Sequence, residues 1–234
     1  MSHATQMRRK NQINKLQNDR GEETEDVREM EGIAQVYFEN LFKTGRTTFN
    51  KHLFSGIERC ISDEDNRKLL ASYNGEEIRG VLFKIGSTKA QGEDGFPALF
   101  YQRCWDIIGN DVVAFCLHIL NGEMEVSPIN STQIVLIPKI INPYNLTHFR
   151  PISLCNVIYN IVAKAIANRF RGVIDKCIDE AQSAFVPERL ITDNVLVAYE
   201  ILHSLKQKRV GKKGYMAVKL DMSKAYDRVE WNFI

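Results

Sequence analysis

The chain has 234 residues, 44% of them hydrophobic, enough to bury one sizeable core or two small ones. A formal net charge of only +2 excludes a global polycation, so any affinity for nucleic acid has to come from local patches. No apolar run approaches membrane-spanning length, and the polar N-terminus does not read as a signal peptide. The five cysteines (Cys60, Cys104, Cys116, Cys155 and Cys177) are scattered, with no Cys-x-x-Cys. They are expected to be reduced, mostly buried thiols of an intracellular protein rather than a zinc site or a disulfide frame.

In chain order, Arg8, Arg9 and Lys10 open a polar segment with few apolar anchors, predicted to be flexible. An acidic run from Glu22 to Glu31 leads into Val27, Met30, Ala34, Tyr37 and Leu41, the spacing of an amphipathic helix. Its carboxylates lie toward the N-terminus, where the helix dipole favours them. Ser62 and Asp65, three apart, predict the start of a short helix, and Ile78, Val81, Leu82 and Ile85 form an apolar stripe after Gly75-Glu76-Glu77. None of this carries chemistry. The stretch Lys89-Ala90-Gln91-Gly92-Glu93-Asp94-Gly95-Phe96-Pro97 predicts a rigid loop. Glu93 and Asp94 would repel a phosphate, so the loop is read as structural.

Ile134 to Ile137 is strongly β-prone and is ended by Pro138, which predicts a strand at a sheet edge or end. Asn142, Pro143, Asn145 and Thr147 supply a turn, and Phe149 to Leu154 begins the return. Lys139 and Arg150 flank that turn. They are either solvated surface charges or an anion grip, with Lys as a point charge and Arg as a planar set of donors. Leu154, Val157, Ile158, Ile161, Val162, Ala165, Ile166 and Phe170 trace one helical stripe. The opposite face, with Asn156, Asn160, Lys164, Asn168 and Arg169, is by default solvated, with contact to a nucleic-acid strand as the alternative. Ile191, Val195, Tyr199, Leu202 and Leu205 predict another helix. Lys206, Lys208, Arg209, Lys212 and Lys213 then form the densest basic cluster, read equally as an exposed loop or as a phosphate contact. No aromatic alternates with these lysines as a base-stacking platform would want.

Tyr215 to Asp221 alternates in the manner of a half-buried strand, with Met216, Val218 and Leu220 on one face. Tyr226, Val229 and Phe233 follow at helical spacing, with Ser223 placed as an N-cap. A carboxylate such as Asp221 at a strand's end, before a tight turn into a helix, suits a hard cation such as Mg²⁺; capping the turn is the plainer role. Tyr226 taken alone is a core aromatic of the strand–helix junction.

The string from Lys219 to Trp231, Lys-Leu-Asp-Met-Ser-Lys-Ala-Tyr-Asp-Arg-Val-Glu-Trp, resembles motif A of the reverse transcriptases of plant LINE-type (non-LTR) retrotransposons. The resemblance implies that Asp221 is a catalytic metal ligand. It also places Tyr226 beneath the incoming sugar, where its ring disfavours a ribose 2′-hydroxyl. Asp227 and Arg228 match the pattern without an assigned role. The loop at Lys89–Pro97 is similar to the family's Lys-Ala-Pro-Gly-Pro-Asp-Gly-Phe-Pro, with Gln91 and Glu93 in place of two prolines. The turn after Ile134–Pro138 resembles the fingers hairpin, in which Lys139 and Arg150 would grip the incoming nucleotide. Gln182 to Arg189 resembles the segment that supports the template, with Arg189 and Asn194, and Asp193 beside it, as the weaker template-binding candidates. Typical members carry Gly where this chain has Glu188. If that position has positive φ, Glu is strained there.

The resemblance implies an α+β chain: a helical connector over residues 1–85, with a flexible polar N-terminus, followed by a reverse transcriptase domain over 86–234. The latter would hold the fingers and an incomplete palm of a right-hand polymerase fold, truncated after motif A. Such a connector follows an endonuclease domain in full-length elements. The implied function is RNA-directed DNA polymerisation, with an RNA template, a DNA primer and dNTPs as partners, Mg²⁺ as cofactor and a nuclear or cytoplasmic location. The family's further aspartates lie in an aromatic-Ala-Asp-Asp string that these 234 residues do not contain, so the chain alone is expected to be inactive. The alternative is a non-catalytic nucleic-acid-binding remnant, or a degenerate fragment without function.

Overall fold

The computed structural model describes residues 12–44, 58–183, 186, 188–208, 214–220 and 229. The first element is a short antiparallel pair, β1 (Leu16–Gln17) and β2 (Glu23–Thr24). The polar segment expected to be flexible is therefore anchored from residue 12 onward, and Arg8 to Lys10 lie outside the described residues. The anchor is Leu16, only 1% exposed. It sits with Leu146 and Phe149 in a small core, against which Ile13, Met30, Ile33, Ala34, Tyr37 and Leu136 pack. Two apolar residues among polar neighbours, Ile13 and Leu16, were enough, because the other burial partners come from distant parts of the chain.

Helix α1 (Val27–Phe42) forms where the apolar spacing predicts it, with Asp26 accepting from the backbone N–H groups of Arg28 and Glu29. Helix α2 (Asp63–Leu70) opens on a reciprocal capping box between Ser62 and Asp65, and α3 (Gly75–Phe83) on one between Asn74 and Glu77. Two helices went unread in the sequence, α4 (Ala98–Arg103) and α5 (Trp105–Leu120). The signal in α5 was present: Val112, Cys116 and Ile119 recur at helical spacing and are all buried.

The main core is helical. Ile78, Val81 and Leu82 of α3, Ala98 and Tyr101 of α4, and Val112, Cys116 and Ile119 of α5 close on Val157, Ile161, Val162 and Ala165 of α6 (Val157–Phe170). Ile78, Leu82 and Ile161 are fully buried, each contributing about 1.5–3 kcal/mol. Burial pushes the Cys116 thiol up to about 12. Cys116 is the one buried cysteine: Cys60 and Cys177 are exposed, and Cys104 and Cys155 are half-buried. The expectation of mostly buried thiols is corrected accordingly.

Strands β3 (Thr132–Pro138) and β4 (Phe149–Cys155) make an antiparallel hairpin in continuous register from Thr132↔Cys155 to Pro138↔Phe149. The hairpin's buried end joins the small core through Leu136 and Phe149, and the backbone N–H of Gln17 donates to the Tyr144 carbonyl at 2.6 Å. Thus β1 and α1 pack on the hairpin, while α3 packs on α5 and α6.

After α6 come the short α7 (Ile174–Cys177) and α8 (Ile191–Gln207). Helix α8 buries none of its residues; Val195, Leu196, Tyr199 and Leu202 are 59–68% exposed. The strand expected from Tyr215 does not form: residues 214–220 join no ladder and are exposed throughout. A strand needs a neighbour to satisfy its backbone, and none of the described residues provides one. Among the described residues no helix is long and apolar enough to cross a membrane.

Candidate functional site

Pleat and register decide what the hairpin presents. Ile134, Leu136 and Pro138 alternate toward the half-buried side, so Val135 and Ile137 face outward at 39% and 38% exposure. Across the ladder, Val135 is paired with Ile152 and Ile137 with Arg150. Arg150 is exposed, and its side chain makes no hydrogen bond or ion pair among the described residues. It stands beside an outward apolar surface of Val135, Ile137 and Ile152. Lys139 follows β3 directly; its backbone N–H donates to the His148 carbonyl at 2.8 Å, and its Nζ to the Thr147 carbonyl at 3.0 Å. An ammonium has three donors, so Lys139 closes the base of the turn and keeps donors for an anion. Both cations therefore lie on one hairpin, at the end where its strands are joined.

The loop between α3 and α4 braces the other end of this hairpin. At Gly92 an added Cβ would lie 2.6 Å from the Asn156 backbone nitrogen and 2.8 Å from the Cys155 carbonyl carbon. Gly95 has φ +72°. Lys89 Nζ donates to Asn160 Oδ1 at 3.2 Å, and Ser131 Oγ to Glu93 at 2.7 Å. The loop is a brace on the β4–α6 junction, and its two glycines serve close approach and a left-handed turn.

On the polar face of α6, Asn160, Lys164 and Arg169 are committed to the chain's own groups, which corrects their reading as solvated or strand-tracking, while Asn168 is exposed. Asn160 Nδ2 donates to the carbonyls of Cys155 and Asn156, and Lys164 Nζ to that of Lys84. Arg169 is 12% exposed and meets Glu77 through two bonds, while its other donors reach the carbonyls of Leu69, Ala71 and Ser72. Its guanidinium lies 3.4 Å from the centre of the Tyr73 ring. Helical periodicity cannot report the bonds of Lys164 and Arg169, since their acceptors lie 80 to 100 residues upstream.

Arg189 is also committed internally. Its guanidinium donates to Asp175 at 2.6 Å and to the carbonyls of Asp179 and Gln182, at 18% side-chain exposure. It clasps the loop between α7 and α8. Glu188 beside it has φ +67°, the left-handed conformation that its replacement of Gly made suspect. Asn194 is exposed in the first turn of α8. Of the basic cluster, Lys206 and Lys208 are exposed, and Arg209, Lys212 and Lys213 lie outside the described residues. Lys208 Nζ stands 3.5 Å over the Tyr215 ring, so an aromatic does accompany the cluster, from beyond the glycines rather than between the lysines.

Asp221, Tyr226, Asp227 and Arg228 lie outside the described residues. Among the described residues, no three His, Cys, Asp or Glu side chains gather to hold a metal ion.

Residues 137–234, which carry both hairpin cations and every later candidate, match the family model of reverse transcriptase (RNA-dependent DNA polymerase). That match covers less than half of the chain. The chain is 28% identical over 217 residues, 92% of its length, to a Xenopus laevis protein described as transposon TX1 uncharacterized 149 kDa protein. It is 30% identical over 151 residues, 63% of its length, to a retrovirus-related Pol polyprotein from type-1 retrotransposable element R2 of Bradysia coprophila. A similarly described R2 protein of Popillia japonica is 25% identical over 118 residues, 50% of the chain. The chain spans only 16%, 17% and 16% of the lengths of these relatives. The similarity to TX1 takes in nearly the whole chain, so it extends upstream of the reverse transcriptase match.

Proposed function

We propose that the chain is part of a plant LINE-type RNA-directed DNA polymerase, with a right-hand arrangement in which β3 and β4 are the fingers hairpin. In this reading Lys139 supplies charge to the triphosphate of an incoming dNTP, and Arg150 lays its planar guanidinium along the nucleotide. Tyr226 limits the sugar to a 2′-deoxyribose. Asp221 is the carboxylate for Mg²⁺, which when bound supplies charge stabilisation to the reacting phosphate. Arg189 holds the loop ahead of α8 in place, and Asn194 on that helix contacts the template. Residues 1–85 act as the connector: α1 steadies the hairpin from behind, and α3 joins the helical core.

The observation that carries this reading is the pair of cations on a single hairpin, inside the segment that matches the family. Fluorescence anisotropy with a labelled single-stranded RNA at two salt concentrations tests it. Binding that weakens as salt rises, and weakens further in Lys139→Ala and Arg150→Ala, is expected. Absence of binding even at low salt would overturn it. A second reading, carried by the same two hairpin cations, is a nucleic-acid-binding chain without catalysis of its own. Primer extension separates the two.

A further inference from the structure

We propose that Cys60 and Cys177 are a redox dithiol, oxidised by a peroxide to a disulfide that ties the segment before α2 to α7. The two residues are 117 positions apart, yet their sulfurs stand 3.6 Å from each other, and both residues are exposed. The approach is built on each side. Cys60 lies two residues before Ser62, whose backbone and hydroxyl are fixed by the Asp65 carboxylate. Cys177 adjoins Lys176, whose Nζ grips both oxygens of that same carboxylate at 2.9 and 2.7 Å. Asp65 thus anchors both strands of chain that carry the sulfurs. A disulfide needs about 2.05 Å between sulfurs, a closure that side-chain rotation supplies. The other thiols are placed elsewhere: Cys116 is buried in the helical core, and Cys155 faces Thr132 across the hairpin.

The chemistry balances with hydrogen peroxide as oxidant. One thiolate attacks a peroxide oxygen, giving a sulfenic acid and releasing water; the second sulfur displaces hydroxide from it, forming the S–S bond and a second water. Burial, then Cys60 and Asp65, raises the Cys177 thiol above its ordinary range, with Lys176 acting in the opposite sense. Oxidation is therefore slow at neutral pH and quickens as pH climbs through the thiol range. The bond would extend beyond its own two residues, because Asp175 of α7 holds Arg189 and so the loop leading to α8.

The test is to treat the whole chain with hydrogen peroxide without denaturant, then map peptides without reduction. Expected is an intact chain lighter by two hydrogen atoms, with Cys60 and Cys177 peptides joined. Linkage should vanish in Cys60→Ser and Cys177→Ser and persist in Cys104→Ser. Lys176→Met, which removes the grip on Asp65 and leaves both sulfurs in place, should slow linkage severalfold. Hydrogen exchange of amides 178–182 should slow in the oxidised chain. Separate sulfinic acids on the two cysteines, linkage to any other cysteine, or a Lys176→Met rate equal to that of the unaltered chain would overturn the proposal.

Discussion

Arg169 and Glu77 meet through two bonds of 3.0 Å each, Nε to Oε1 and Nη2 to Oε2, fastening the end of α6 to the start of α3 across 92 positions of chain. The same guanidinium ties down the carbonyls that end α2, so one side chain closes the gap between two helices and a third. Arg169→Ala should cost about 1–3 kcal/mol in a urea titration, because it removes the ion pair with Glu77 and leaves three carbonyls without this donor. Arg169→Lys should recover only part of this, since a point charge cannot serve both carboxylate oxygens and the carbonyls. A variant that stays fully stable but loses RNA affinity would show instead that Arg169 works on a template.

Glu188→Gly should stabilise the chain. A non-glycine residue in the left-handed region costs about 1–2 kcal/mol, and glycine gives back part of that gain as freedom in the unfolded chain. A net rise of roughly 0.5–1 kcal/mol is expected in the same titration. Glu188→Ala is the control: it removes the charge and keeps the backbone cost, so it should gain little. Equal gains in both variants would assign the effect to charge.

Acid should loosen the α2–α7 and α3–α6 junctions before the rest. Hydrogen bonds from Lys176, then from Ser62, hold the Asp65 carboxyl well below the usual carboxylate range, and those from Arg169 lower that of Glu77. Both are depressed in the folded state, so their stabilisation is complete above the unfolded values of about 3.9 and 4.3 and is lost as pH falls below them. Thermal melts from pH 6 downward should show this decline, and Asp65→Asn should flatten it. An unchanged slope in that variant would rule out the Asp65–Lys176 pair as its source.

Lys139→Ala and Arg150→Ala should each shrink the salt dependence of binding to single-stranded RNA. Each phosphate contact removed lowers the log–log slope by roughly 0.7. Lys206→Ala offers an outside comparison on α8. A slope that changes for Lys206 and for neither hairpin residue would move the interface from the hairpin to the helix.

Primer extension on an RNA template with dNTPs and Mg²⁺ should yield no product from this chain. In the proposed reading Asp221 is the chain's one carboxylate for the ion, and a lone carboxylate binds Mg²⁺ poorly. Product made by the chain and abolished in Asp221→Ala would show that further carboxylates are supplied from another source.

Sequence alone determined the local elements: Val27 to Leu41 as a helix, Ser62 with Asp65 as the start of another, Ile134 to Pro138 as a strand, and Glu188 as a suspect backbone position. Each depends on neighbours within a few residues, which is the range over which periodicity and caps act. It also carried the motif from Lys219 to Trp231, because a family pattern is a property of order along the chain. Tertiary structure decided what the polar side chains do. Lys164 and Arg169 share a face that periodicity marks as outward, yet they donate to carbonyls at the ends of other helices, since those groups must find donors once covered. It likewise decided that Leu16 is core, that Cys60 and Cys177 meet, and that Tyr215 to Leu220 stays unpaired. Burial, thiol approach and strand pairing all depend on residues far apart in sequence, and only the folded chain brings those together.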